Sequence, residues 1–192
     1  MKHYYHNIGE DWFSYPKLYS AAVQYFDAGS TFYEIGSWKG RSSVYMGVEI
    51  INSGKAHSFS CVDTWEGCEF TQDIKAVKEN TLYTEFLTNI DPLNGLINPI
   101  KSTSLDAAKA IPDESIDFVF IDAAHDYDNV IADIHAWFPK VKKGGVIAGH
   151  DYPDWAGVKK AVDEFFGKDI VAKYGSWIHQ KSENKDFYKF LK

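Results

Sequence analysis

Apolar positions along the chain change period repeatedly, and each change marks an element. Over residues 15–28, Leu18, Ala21, Ala22, Tyr25 and Phe26 recur at helical spacing, with Pro16 in the first turn, where its missing N–H costs nothing. Residues 30–35 form a short apolar strand. Residues 42–51 are again helical, with Val44, Val48 and Ile51 on one stripe and Gly54 just beyond the end. Residues 56–62 predict a second strand closing at Asp63, so the unit is β-α-β with a right-handed crossover and parallel strands. Residues 64–96 are the least legible: 71–78 and 82–89 have helical spacing, 65–70 has no period, and the stretch reads as an insertion or lid. A third strand (96–100) precedes a short helix (104–110) that Pro112 ends. Residues 115–121 are the most continuous apolar run, as a strand covered on both faces should be. A helix over 127–141 follows, then Lys142-Lys143-Gly144-Gly145 as a turn into a strand over 146–148, and a helix over 157–166. Residues 169–174 and 176–181 close the sheet as an antiparallel hairpin, and the tail to 192 is a strand or short helix. Seven strands alternating with helices predict one α/β domain over 1–192, with a doubly wound, mostly parallel sheet.

Composition narrows the function. With 20 Lys and Arg against 27 Asp and Glu, the net charge of -7 disfavours a nucleic-acid surface. No 18-residue apolar span suggests a membrane segment, and the polar, aromatic N-terminus is unlike a signal peptide. Cys61 and Cys68 are too few for a disulfide framework, so both are expected to be reduced thiols of a cytoplasmic protein. The acceptor of any reaction is then expected to be a small molecule, and a homodimer stays open, with Tyr4, Tyr5, Trp12 and Phe13 covering a partner subunit or folding over a ligand.

Polar residues collect at the carboxyl ends of successive strands, where doubly wound sheets bind ligands. The first strand ends in Gly36-Ser37-Trp38-Lys39-Gly40, a glycine-bounded turn before a helix N-terminus. It lacks the middle glycine of Gly-x-Gly-x-x-Gly, which argues against a dinucleotide. Asp63, 23 residues after Gly40, stands where a carboxylate can accept both hydroxyl hydrogens of a ribose, or cap a turn. The fourth strand ends in Asp122 to His125 and the fifth in His150-Asp151.

In this order and spacing the motifs resemble those of class I S-adenosylmethionine-dependent methyltransferases, from about residue 32 to 181. Glu34 to Gly40 is similar to the first motif of that family, Val62-Asp63 to its second, Asp117 to Asp122 to its fourth, and Lys142 to Val146 to the turn before its fifth strand. The resemblance implies a Rossmann-like fold and S-adenosylmethionine as cofactor. It implies Glu34 near the methionine amino group, Gly36, Ser37 and Gly40 in backbone contact, Asp63 on the ribose and Ser104 at the adenine edge, with Ser102 and Thr103 as neighbours. Trp38 and Trp65 would flank cofactor or acceptor, and Asp122 would lie near the cofactor.

Asp122 to Tyr127 followed by Gly149-His150-Asp151-Tyr152 is similar to a small bacterial subgroup, and distantly to catechol and caffeoyl-coenzyme-A O-methyltransferases. The latter hold a divalent cation, which implies Asp122, His150 and Asp151 as ligands here. Imidazole in place of an oxygen donor suits Mn²⁺, Fe²⁺ or Zn²⁺ better than Mg²⁺. His125 stands where the catechol enzymes place a lysine base. An imidazole there can accept a hydroxyl proton near neutral pH, with His150 the competing base. The chain is therefore expected to methylate a hydroxyl group. Two rivals stay open: an iron-dependent hydroxylase-like enzyme on the same fold, and a cofactor-binding module without catalysis.

Overall fold

The computed structural model describes the backbone of residues 1–192 and every side chain except that of Glu69. In chain order the elements are α1 (Pro16–Tyr25), β1 (Thr31–Ile35), α2 (Arg41–Ser53), β2 (Ser58–Asp63), α3 (Lys75–Lys78), α4 (Leu82–Ile90) and β3 (Ile97–Lys101). They continue as α5 (Ser104–Lys109), β4 (Ile116–Ile121), α6 (Tyr127–Trp137), β5 (Val141–Gly149), α7 (Ala156–Phe166), β6 (Val171–Lys173) and β7 (Ser176–Gln180). The seven strands form one sheet in the order β3-β2-β1-β4-β5-β7-β6. β1 pairs parallel with both β2 and β4, while β7 runs antiparallel to β5 and β6. This is the doubly wound Rossmann-like architecture with an antiparallel C-terminal hairpin.

Both faces of the sheet are covered, which explains the unbroken apolar run of β4. Phe118 and Phe120 join Phe32 and Phe59 in the core under α1, α2 and α4, whereas Val119 and Ile121 join Ile35 and Val62 under α5, α6 and α7. Cys61 is buried in the first of these layers. No helix among the described residues is long and apolar enough to cross a membrane.

Three elements differ from the sequence expectation. β5 begins at Val141 rather than 146, because Lys142 to Gly145 bulge within the strand: Ile116 pairs with Val141 but Phe118 with Val146, and Gly144 takes φ +87°. α6 stops at Trp137, and Phe138–Lys140 forms a single 3-10 turn containing Pro139, which cannot donate the next helical hydrogen bond. Of the helix expected over 71–78 only α3 forms, after a 3-10 turn at Glu69–Thr71. In the tail the short-helix alternative forms, as a 3-10 helix over Asp186–Phe190. Within 64–96, Phe86 of α4 packs on the glycine turn: a Cβ on Gly40 would lie 3.0 Å from its ring.

The contact that places the ends of β1 and β4 side by side is at Gly36. Its φ is +85°, and a Cβ there would stand 2.1 Å from the carbonyl oxygen of Asp122. Asp122 N–H donates to Ile35 O and Gly36 N–H to Val62 O, at 2.7 and 2.8 Å, so neither strand end can retreat cheaply. Gly36→Ala is expected to destabilise the fold by about 3 kcal/mol or more, through backbone strain plus overlap. Urea denaturation checks this, and a variant within about 0.5 kcal/mol of wild type, the scatter of neutral surface changes, would contradict it.

Candidate functional site

A cavity of about 590 Å³ opens at the carboxyl ends of β1, β2, β4 and β5, within the size range of small-molecule sites. Gly36, Ser37, Trp38, Asp63, Ser102, Ser104, Asp122, His125, His150 and Asp151 all stand in its wall. Each comes from a strand end or the turn after it, which is why residues so distant in sequence meet.

Two acids of the cofactor motifs face inward. Glu34 is fully buried; Tyr19 Oη donates to it at 2.6 Å, and Ser43 Oγ donates to its other oxygen. Burial raises its carboxyl, with the Ser43 and Tyr19 hydroxyls opposing. It lies beneath the cavity rather than in its wall, and both of its oxygens are held by hydroxyls of the protein. The Asp63 carboxylate reaches the wall, yet one oxygen accepts the N–H groups of Ser37 and Trp38 at 2.8 and 2.9 Å, and the other that of Trp65 at 2.7 Å. Burial raises Asp63 and these N–H groups oppose the shift. Three of about four acceptor positions are thereby filled, and Asp63 clamps the glycine turn to β2.

Gly40 also stands back from the cavity. It precedes α2 in the left-handed region at φ +85°, facing Phe86. Trp65 is buried behind the turn, donating from Nε1 to Trp38 O at 2.9 Å. Ser37, 2 % exposed, has an Oγ with no partner among the described residues. A buried hydroxyl of this kind costs free energy unless a ligand pairs with it.

At the other end of the cavity two aspartates and two histidines converge. His125 Nε2 lies 2.9 Å from Asp151 Oδ2, and His150 Nδ1 lies 3.2 Å from Asp151 Oδ1 and 3.8 Å from Asp122 Oδ1. One ligand atom each from Asp122, His125 and Asp151 comes within 4.8 Å of the others. His125 therefore joins the two acids that the resemblance grouped with His150, and His150 stands beside them. Tyr15 Oη donates to Asp122 Oδ2 at 2.8 Å from beneath. Asp151 sits at φ +64°, a conformation uncommon for a residue with a side chain and frequent at functional sites.

The charges are mutually dependent. Burial raises Asp122, with His150 opposing. Burial would raise Asp151 too, but the two histidines outweigh it and hold the carboxyl well below the usual range. Asp151 in turn raises His125 against burial. For His150, burial lowers the pKa, yet Asp151 and Asp122 together raise it.

The chain order hid the outer wall. Glu10, Trp12, Phe13, Arg41, Phe70 and Trp155 line it as well, and of these only the tryptophans and the aromatic N-terminus carry a signal in the sequence. Glu10 accepts from Trp38 Nε1 at 2.7 Å and from Lys39 Nζ at 3.1 Å. Arg41 donates to the carbonyls of Ile8 and Glu10 and pairs with Asp11 at 2.6 Å. Trp155 stacks on the His125 ring at 4.3 Å, and a Cβ on Gly157 would stand 2.3 Å from His125 O, so α7 begins directly against this loop.

The family model described as methyltransferase domain matches residues 33–152, which span the glycine turn, Asp63 and the acid–imidazole cluster. The chain belongs to that family. Its strand order is that of the class I, S-adenosylmethionine-dependent methyltransferases. Solved structures share the fold: the O-methyltransferase NovP at 16% identity over 88% of this chain and 78% of that one, TM-score 0.63. An O-methyltransferase from Bacillus cereus in complex with SAH follows at 20% identity, over 90% and 83%, TM-score 0.58. A putative caffeoyl-CoA O-methyltransferase from Staphylococcus aureus gives 15%, over 92% and 87%, TM-score 0.58. A curated relative, the uncharacterized protein y4gI of Sinorhizobium fredii, is 29% identical over 96 residues, 47% of this chain but 10% of its own length.

One buried acid of the methyltransferase makes the region under Ser104 sensitive to pH. Asp133 of α6 is buried, and burial pushes its carboxyl up to about 6, the Ser104 hydroxyl opposing. Between about pH 4 and 6 the unfolded chain releases this proton while the folded chain keeps it, so stability falls as pH rises through that window. Asp133→Asn removes the penalty. It is expected to leave stability nearly unchanged at pH 4 and to raise it by up to about 3 kcal/mol at pH 7, measured by urea denaturation across that range. A gain independent of pH would reject the assignment.

Proposed function

We propose that this methyltransferase transfers the cofactor's methyl group to a hydroxyl of a small, uncharged acceptor seated against Asp122, His125, His150 and Asp151. The observation that supports this best is the convergence of two carboxylates and two imidazoles in the wall of the cavity that also contains the glycine turn. In the reaction the carbon–sulfur bond of the sulfonium breaks as the oxygen–carbon bond forms. The products are S-adenosylhomocysteine, a methyl ether and the hydroxyl proton.

On the cofactor side, the free N–H groups at the start of α2, the Ser37 hydroxyl, Trp38 and the wall at Ser104 would hold the nucleoside and its methionine arm, with Asp63 keeping the turn in shape. On the acceptor side, Asp122, His125 and Asp151 offer two oxygens and one nitrogen, a donor set suited to Mn²⁺ or Fe²⁺. A cation bound there would polarise the acceptor oxygen and let its hydroxyl ionise near neutral pH. The chain's residues then have two tasks: to hold the oxygen in line with the sulfonium methyl, and to keep water from it. Trp12, Phe70 and Trp155 are 54%, 67% and 38% exposed at the cavity mouth and would cover the ring or chain of the acceptor. Arg41 is the one Lys or Arg of the wall among the described residues, and Asp11 already pairs with it. A phosphorylated acceptor would lack a free basic side chain to meet it.

The 2.9 Å contact between His125 and Asp151 favours a second use of the same residues. With no cation present, Asp151 would orient the ring and His125 would accept the hydroxyl proton itself.

Calorimetry with S-adenosylhomocysteine should show binding that Asp63→Ala weakens about tenfold, roughly the 1.4 kcal/mol expected of one lost anchoring contact; no heat with wild type would reject the cofactor site. With an uncharged hydroxyl acceptor that is turned over, His125→Ala should lower kcat by about 10²–10⁴-fold and leave S-adenosylhomocysteine affinity intact. Activity lost on chelation and restored by Mn²⁺ supports the cation. Activity that survives chelation but is lost in His125→Ala supports the imidazole base.

A further inference from the structure

Ser14 belongs to no helix or strand, yet its hydroxyl connects the N-terminal segment to the acid–imidazole cluster. Ser14 Oγ lies 2.8 Å from His150 Nε2 and 3.0 Å from the carbonyl oxygen of Tyr174. A hydroxyl has one proton, and a carbonyl oxygen can only accept. Both contacts are hydrogen bonds at once only when the Ser14 proton goes to Tyr174 O, which also accepts from Ser176 Oγ at the longer 3.4 Å, and the serine oxygen is the acceptor toward His150. That requires the hydrogen of His150 on Nε2.

The consequence falls on the other ring nitrogen. Nδ1 faces Asp151 Oδ1 at 3.2 Å and Asp122 Oδ1 at 3.8 Å. A bare lone pair against two carboxylates is repelled, so Nδ1 needs a positive partner between itself and those oxygens, either a proton that makes the ring an imidazolium or a cation that takes the proton's place. Released from Ser14, the neutral ring could instead place its hydrogen on Nδ1, donate to Asp151 and require no cation. The ring has little room to turn: Tyr15 packs against it at 4.9 Å, and a Cβ on Gly175 would lie 3.3 Å from both Nε2 and Ser14 Oγ.

We infer that Ser14 is a positioning residue, which holds His150 with Nδ1 turned to Asp122 and Asp151 as a further donor to a divalent cation. This rests on the cation site proposed above. Ser14 touches neither the cation nor the acceptor; it acts by selecting the tautomer of His150, as hydrogen-bond partners of metal-bound imidazoles do.

The test is a calorimetric titration of Mn²⁺ into wild type, Ser14→Ala and Ser14→Thr, with S-adenosylhomocysteine titrated in parallel and thermal midpoints recorded. Ser14→Ala should weaken Mn²⁺ binding by about 10–100-fold, the usual effect of losing such a partner. Ser14→Thr, which keeps the hydroxyl, should restore it, and S-adenosylhomocysteine affinity should stay unchanged in both. Equal Mn²⁺ affinity in wild type and Ser14→Ala overturns the role of Ser14 while leaving the cation site standing. Weakening in Ser14→Thr as large as in Ser14→Ala, or parallel loss of S-adenosylhomocysteine binding, also overturns it by showing a general disturbance of the segment. Failure of wild type to bind Mn²⁺ overturns the cation site itself and the role of Ser14 with it.

Discussion

The close approach of β1 and β4 at Gly36 is the constraint on which the cavity depends. With the Asp122 carbonyl 2.1 Å from where a Cβ would stand, the two strand ends can meet only at a glycine. Their meeting puts the glycine turn and the first acid of the cluster on one wall. The same turn is held from the other side by Asp63, whose carboxylate gathers the N–H groups of Ser37, Trp38 and Trp65. One residue gives the turn room and the other gives it shape. Neither role needs a ligand, so the cradle is preorganised by the fold.

The acid–imidazole cluster has the opposite character, because no member of it is at rest alone. Partly buried carboxylates are costly unless paired, and here each pairing draws on a histidine: Asp151 lies against both rings, and Asp122 against His150. Tyr15, fully enclosed beneath, donates its hydroxyl to Asp122, while burial together with Asp122 and Glu34 raises its own pKa far above the phenolic range. Tyr15 is thus a fixed donor. With two acids set against two imidazoles, the cluster can balance its charge within itself, each carboxylate facing a ring that can carry the compensating proton.

Much of the fold was legible because period and burial agree. In β4, Phe118 and Phe120 serve one face of the sheet and Val119 and Ile121 the other, so an unbroken apolar run correctly signals a covered parallel strand. At Lys142 to Gly145 local chemistry reads as a turn, yet Gly144 N–H donates to Lys181 O at 2.7 Å and Lys181 N–H to Gly145 O at 2.8 Å. Pairing with a distant segment overrides the local preference, and nothing in the four residues reveals it. The strand-end rule located Asp122, His125, His150 and Asp151, since topology alone brings them together. It could not tell which way an acid points. Glu34 has the position of a ligand-binding acid and the surroundings of a core one, closed over by Tyr19 and Ser43.

The outer wall was illegible for a further reason. Residues 8 to 14 have no period, being an irregular segment whose conformation comes from the folded body beneath it. Arg41 captures the carbonyls of Ile8 and Glu10, Trp38 and Lys39 hold the Glu10 carboxylate, and Ser14 reaches the turn between β6 and β7. The anchors at one end come from the glycine turn and the start of α2, and at the other from the neighbourhood of His150. A segment fixed in this way takes its conformation from both, so the last wall of the cavity depends on the sheet beneath it. Trp12 and Phe13 then lie over a site whose two chemical halves were already joined at Gly36.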